Sequence, residues 1–324
     1  MSANVLRSIP VERGTFGPEA ALDSSQTRDD DKLSATPPIG LRALRETYTA
    51  RLTRKLLLCE PSQCFHLEFA IDSMPPFAFE PGQFLSCLAQ DPATGKQQTR
   101  AYSLASAQAS AQQTALTHTG AATFDLCINR VAGGFFSNLL CDLEPGQAIQ
   151  AHGPHGFFTL PDAPPAPASP APLILVAAGT GIAPMRGFLQ SLFPAADAPA
   201  SQEVWLLQGL DETFSRDSSG IASVTPQPEV SGCFYYSAEF EQLAASHANF
   251  HYLPVADPAD FHRELGRLIE EFAPLQATGP EAPSRGPFPI YAALCGLNAI
   301  VAPARELFLT HGWAKRQVLF ERYD

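Results

Sequence analysis

A chain of 324 residues, 45% of them hydrophobic, is long enough for two domains, each with its own core. A formal charge of −12 excludes nucleic acid as the main partner, because phosphate backbones require a basic surface. No stretch approaches the roughly eighteen apolar residues of a spanning helix, and the opening residues 1–7 lack an apolar core of signal-peptide length. The expectation is a cytoplasmic protein without membrane insertion.

Residues 1–44 are rich in Ser, Thr, Asp, Pro and Ala and show no sustained period, which predicts a mobile tail. Arg42, Arg45, Arg51, Arg54 and Lys55 then cluster with only Glu46 opposing them; they read either as a solvated strand edge or as a dock for an acidic partner. From Tyr48 the texture becomes β-rich. Tyr48–Cys59, Phe65–Ile71, Gln83–Ala89, Ala101–Ala105, Phe124–Val131 and Ala148–Gly153 are strand candidates. Glu80-Pro81-Gly82 and Glu144-Pro145-Gly146 supply turns just before two of them. Six short strands with turns between them predict a closed antiparallel barrel over 45–161. One helix interrupts it, Ser137–Leu143, with Ser137 as the expected N-cap.

The Pro/Ala-rich stretch 162–172 reads as a stiff linker. Beyond it, Leu173–Ala178 is continuously apolar, as in a strand buried on both faces. Val204–Gln208, Phe250–Val255, Ile290–Cys295 and Gln317–Phe320 are further strands. Helical stretches Pro184–Phe193, Glu239–Ser246, Asp260–Phe272 and Asn298–His311 fall between them. Alternating strands and helices predict an α/β doubly wound parallel sheet over 173–324. Pro303 predicts a kink or a late start in the last helix, and 215–233 and 276–289 read as loop insertions.

The seven cysteines, odd in number and scattered, suit reduced thiols better than a disulfide framework. Cys59 and Cys64 have a four-residue gap, but no third cysteine follows two residues later, as a plant-type [2Fe–2S] site requires. Neither a cluster nor another metal is expected.

Arg100-Ala101-Tyr102-Ser103 supplies a cation for a pyrophosphate, a flat surface for a ring and a hydroxyl donor. Taken alone it is a common chance pattern in strands. Gly133-Gly134-Phe135-Phe136-Ser137 lets the backbone approach an anion just where a helix begins. A plain turn leading into a helix explains it equally well. Gly179-Thr180-Gly181-Ile182-Ala183-Pro184 follows a buried strand and opens a helix, the context that a nucleotide pyrophosphate requires, although it is not the full G-x-G-x-x-G pattern. Cys295-Gly296 closes another strand of the same sheet, beyond whose carboxyl ends ligands bind.

In this order, with Pro81-Gly82-Gln83-Phe84 ahead of them and Glu321-Arg322-Tyr323 behind, these motifs resemble those of the ferredoxin–NADP reductase superfamily, which includes the reductase components of bacterial oxygenases. The resemblance runs from about residue 45 to the C-terminus. It implies an FAD-binding barrel followed by a nucleotide-binding domain, with FAD and NADPH or NADH as cofactors. It implies hydride transfer from the nicotinamide to the flavin, positioned rather than covalently catalysed by the protein. By this resemblance Tyr102 stacks on the flavin and Ser103 hydrogen-bonds near its reactive nitrogen. Arg100, Gly134 and Ser137 hold the pyrophosphate, and Gly179, Thr180 and Gly181 receive the nucleotide with Cys295 and Gly296 beside the nicotinamide. Glu321 matches the acidic residue near the flavin. Tyr323 matches a terminal aromatic that covers the ring and yields to nicotinamide, although here Asp324 follows it.

The implied acceptor is a separate protein: a ferredoxin, a flavodoxin or an oxygenase component. A reductase of a small quinone or free flavin, and a non-catalytic flavin-binding subunit, are the competing readings. Selectivity between the two nucleotides is expected around Gly209–Arg216, where Asp211 favours a free ribose hydroxyl and Ser215 and Arg216 favour a phosphate.

Overall fold

The computed structural model describes residues 47–71, 77–108, 122–160, 172–194, 202–210, 233–272 and 292–323. The chain divides into units Met1–Pro38 and Ile39–Asp324, and both sheets belong to the second. The tail reading, Arg42, Arg45, most of the Pro/Ala linker and nearly all of both loop insertions fall outside the described residues.

Six strands form the first sheet: β1 (Thr47–Cys59), β2 (Cys64–Ile71), β3 (Phe84–Gln90), β4 (Gln97–Ser103), β5 (Ala122–Asn129) and β6 (Ala148–His155). Their order is β4-β3-β6-β1-β2-β5, antiparallel throughout. The two edges meet at an antiparallel bridge between Leu104 and Leu126, which closes the barrel. Side chains alternate across each strand, so Leu52, Leu67, Phe69, Leu85, Phe124, Leu126 and Ile149 share the interior. Phe69 and Phe124 stack there at 5.2 Å. The two Glu-Pro-Gly turns share one construction. Gln83 N–H donates to the Glu80 carbonyl and Gln147 N–H to that of Glu144, while the two Gln side chains accept the Glu80 and Glu144 amides.

The second sheet holds β7 (Leu173–Ala178), β8 (Val204–Gly209), β9 (Phe250–Val255), β10 (Ala292–Leu297) and β11 (Val318–Tyr323). All pairs are parallel, in the order β11-β10-β7-β8-β9. Every residue of β7 is buried. Leu173, Leu175 and Ala177 face α2 (Ile182–Leu192) and α3 (Ser237–Ser246) in one core. Ile174, Val176 and Ala178 face α4 (Pro258–Phe272) and α5 (Asn298–Thr310) in another. This is the doubly wound arrangement that the uninterrupted apolar run predicts. The first of these cores also takes in Cys59, Cys64, Ala105, Cys127 and Phe158 from the barrel. Barrel and parallel sheet therefore share one continuous apolar seam.

Several expectations are corrected. The barrel helix α1 spans Phe135–Asp142 with Gly134 as its N-cap, so Ser137 lies inside the helix. Burial of Phe136 in the barrel core starts the helix early, and the Ser137 hydroxyl reaches back to accept the Val131 amide at 3.1 Å. Strand β4 begins at Gln97 and ends at Ser103 rather than Ala105. Strands β10 and β11 run on to Leu297 and Tyr323 because they pair residue for residue along their whole length. Helix α5 begins at Asn298 with Pro303 inside it, not after it.

The largest correction concerns the thiols. Cys59 at the end of β1 and Cys233 just before α3 form a disulfide across a sequence separation of 174. Residues so far apart carry no spacing signal, and only the folded seam brings them together. Cys64, Cys87, Cys127, Cys141 and Cys295 are buried and form no disulfide. Labelling the unfolded, unreduced protein should therefore count five thiols, and seven after reduction. A Cys233→Ser variant should lose about 2–4 kcal/mol of stability in denaturant unfolding, the usual effect of opening a long loop.

Candidate active site

Strand β4 ends where the carboxyl edge of the parallel sheet begins. Ser103, 7% exposed, donates from Oγ to Glu321 Oε2 at 3.1 Å. The Tyr323 hydroxyl donates to the same Oγ at 2.9 Å. Cys295 pairs with Glu321 across β10 and β11, and its thiol shares a hydrogen bond with Tyr323. Four residues drawn from three places in the sequence thus meet at one point. Burial pushes the Glu321 carboxyl up from its ordinary value of 4.5, and the Ser103 hydrogen bond only partly offsets this. Burial, with Glu321 beside it, also pushes the Cys295 thiol far up, so this sulfur is not a nucleophile.

The Gly179–Gly181 turn lies against the same point. Gly179–Gly181 form a 3-10 turn between β7 and α2, and a Cβ on Gly181 would stand 2.2 Å from the Cys295 carbonyl oxygen. Only a residue without a side chain allows this approach. Gly296 packs behind the turn, against Ala178.

On the barrel, Arg100 is exposed, and its Nη1 donates to the neighbouring Thr99 carbonyl. Tyr102 lies two residues on, partly buried against the barrel core, where burial raises its phenol pKa. Gly133 adopts φ +71° with open space around its Cα, and α1 begins at Gly134 without a side-chain cap. These residues fit a dinucleotide. An open glycine turn leads to uncapped helix amides for phosphate, an exposed guanidinium stands ready for a second charge, and Tyr102 supplies an aromatic ring on the residue next to Ser103. Asp211, Ser215 and Arg216 lie outside the described residues.

A second polar group, with no local motif to announce it, lies on the seam. Arg186 of α2 donates from Nη1 to the Ala105 carbonyl at 2.7 Å and Asp125 Oδ2 at 2.8 Å, and from Nε to Glu239 Oε2 at 2.8 Å. Its guanidinium lies 4.9 Å from the centre of the Tyr236 ring. His66 Nδ1 is 3.0 Å from the Tyr236 hydroxyl, and Nε2 is 3.3 Å from Glu68. Because the Glu68 carboxylate can only accept, Nε2 carries the hydrogen and Tyr236 donates to Nδ1. Burial, aided by Arg186, lowers the His66 pKa against the pull of Asp125 and Glu68, so the ring is neutral at pH 7. Tyr236 itself sits at φ +62°. For a bulky residue that conformation costs about 1–3 kcal/mol and persists only where surrounding contacts impose it.

Over 249 residues, 76% of this chain and 86% of the other, the sequence is 32% identical to ferredoxin–NADP reductase B of Sorangium cellulosum. The chain belongs to the ferredoxin–NADP reductase family. Its residues 49–160 match the oxidoreductase FAD-binding domain, and membership makes it an FAD-dependent oxidoreductase with FAD and a nicotinamide nucleotide as cofactors. A CDP-6-deoxy-L-threo-D-glycero-4-hexulose-3-dehydrase reductase of Yersinia pestis is 25% identical over 70% of this chain, which spans 56% of that relative's length. Among solved structures, the ferredoxin-NADP+ reductase of Plasmodium falciparum superposes with a TM-score of 0.59 at 18% identity, covering 86% of this chain and 96% of that one. The Amycolatopsis cytochrome P450 reductase gives 0.56 at 23% identity over 86% and 69%. Both likenesses establish the two-domain reductase fold. Among the described residues, no helix is long and apolar enough to cross a membrane.

Gly181→Ala tests the close approach of the nucleotide turn to β10. The added methyl should displace the turn, cost about 1–3 kcal/mol in thermal unfolding, and weaken nucleotide binding about tenfold or more in a fluorescence titration.

Proposed function

We propose that this reductase passes reducing equivalents from NAD(P)H, through FAD, to a separate acceptor protein such as a ferredoxin, a flavodoxin or an oxygenase component. The observation that carries the reading is the meeting of Ser103, on the barrel strand, with Glu321, Tyr323 and Cys295 at the carboxyl edge of the parallel sheet. The Sorangium, Yersinia and Amycolatopsis proteins are all named as reductases, two of them for a named partner system, and this favours a protein acceptor over a small molecule.

FAD, when bound, supplies hydride acceptance and release of electrons one at a time. The chain's own residues hold and orient it. Arg100 and the amides at Gly133 and Gly134 neutralise the pyrophosphate, with Ser137 fixing the turn through Val131. Tyr102 presents its ring from the strand face it shares with Arg100, and Ser103, next along the strand after Ala101 and Tyr102, offers its hydroxyl. Gly179, Thr180 and Gly181 would receive the nucleotide, with Cys295 and Gly296 beside its nicotinamide. Tyr323 occupies the space beside Ser103 and swings away when the nicotinamide docks. Glu321, as a carboxylate, accepts the Ser103 hydroxyl at Oε2 and fixes the direction in which that hydroxyl points.

Anaerobic mixing of the holoenzyme with NADH and with NADPH, followed by a screen of acceptor proteins against quinones and free flavin, tests the reading. Bleaching of the flavin and acceptance by a protein partner are expected; oxidation of NAD(P)H only through small acceptors overturns the partner. Ser103→Ala should slow flavin reduction about 10–100-fold in stopped flow while FAD content is retained. The pH profile of that step should fall on an acid limb lying above 4.5, as Glu321 takes up its proton, and Glu321→Gln should abolish the limb.

A further inference from the structure

Three residues of one face of α2 bear on a single short stretch of the barrel, the three residues just past Leu104. Arg186 donates to the Ala105 carbonyl and to Asp125, whose own backbone carbonyl accepts the Ala105 amide. Gly187 lies so close that a Cβ would meet the Ser106 carbonyl at 2.9 Å. Gln190 accepts the Ala107 amide at 2.9 Å. The stretch begins two residues beyond Ser103, and the N-terminal end of the same helix is the nucleotide turn at Gly179–Gly181. One rigid path therefore runs from Ser103 through Ala105 and Arg186 to Gly181.

We propose that Arg186 is the positioning residue for hydride transfer: its guanidinium sets the distance between the flavin-bearing strand and the nucleotide turn. This rests on the hydride-transfer reading of the Ser103 site. The geometry requires arginine in particular. A planar fork reaches Ala105, Asp125 and Glu239 at once while its face lies on Tyr236; a lysine ammonium offers one point of charge and no stacking plane. The left-handed backbone at Tyr236 is the mark of a locus held in place by its surroundings. His66 grips the Tyr236 hydroxyl from the barrel side, and the Cys59–Cys233 bridge ends three residues before Tyr236. Because that bridge ties the seam covalently, loss of the guanidinium shifts the alignment of the two sites without parting the domains. A misalignment on the order of 1 Å is enough to cost about a hundredfold in a reaction between positioned groups.

The test uses holoenzymes of Arg186→Lys and Arg186→Gln. Arg186→Gln is expected to keep its FAD and to bind NADP+ or NAD+ within about threefold of wild type. Its stopped-flow hydride transfer should fall about 10–100-fold, and the long-wavelength charge-transfer absorbance between nucleotide and flavin should weaken. Faster hydrogen exchange over 105–107 should accompany these changes, and Arg186→Lys should fall between the two. Should Arg186→Gln fail to fold, Asp125→Asn, which keeps the shape and removes the charge, must show the same slowing and the same loss of absorbance. Wild-type transfer and absorbance in the folded variant overturn the inference while leaving the Ser103 reading in place. A wild-type flavin that neither nucleotide reduces overturns that reading instead.

Discussion

The hydrogen bond from Ser103 to Glu321 is the polar contact that brings the candidate site together from the two halves of the structure. It joins the end of an antiparallel barrel strand to the carboxyl edge of a parallel sheet more than two hundred residues away. A bond between two side chains cannot hold domains in register by itself, since a net hydrogen bond is worth only about 0.5–1.5 kcal/mol. It forms because the apolar seam has already brought the strands together. Ala105, Cys127 and Phe158 from the barrel pack with Ile182, Phe188, Phe240 and Cys295 in a single core. Burial of that surface, at about 25 cal/mol per Å², is the larger contribution. The polar contacts then select one alignment among those that apolar packing alone would accept.

This division of labour explains why the polar groups on the seam are so completely paired. Arg186 has a side chain only 12% exposed, and a buried charge is tolerated only when partners surround it. Asp125, Glu239, the Ala105 carbonyl and the Tyr236 ring provide them. Such a group adds little net stability compared with an apolar replacement, but it penalises every arrangement in which one partner is missing. On the proposed reading, directional penalties of this kind are what a reaction between two separately bound rings needs.

Much of this was legible in the sequence, and its limits have physical causes. The strands of both sheets follow from local periodicity. Leu173–Ala178 is apolar at every position because both its faces are covered, and the Glu-Pro-Gly turns mark the starts of β3 and β6. The site residues Ser103, Cys295, Glu321 and Tyr323 were named from motifs, and the fold brings all four together. Ser137 was misread as a helix cap because the rule for caps sees a serine near a helix start; it does not see Phe136 pulling that start forward into the barrel core. The Cys59–Cys233 bridge and the Arg186 group left no trace that a local rule could detect. Their partners lie 50 to 174 residues away, and pairing at such range is a property of the tertiary seam.

The same reasoning bears on the role of Cys295. A cysteine at the end of a strand in an active site invites a covalent reading, yet this thiol is 1% exposed and its pKa is driven up by burial. Nucleophilic sulfur requires a thiolate, and Glu321 beside it disfavours one further. What the position does require is a compact side chain on a backbone close enough to hold Gly181 against its carbonyl. A larger residue would crowd Glu321 and Tyr323 beside it, and a charged one would be left unpaired in the apolar seam. On the proposed reading, Cys295 belongs with Gly181 and Arg186 as a determinant of distance, and the chemistry of the site is left to the cofactors.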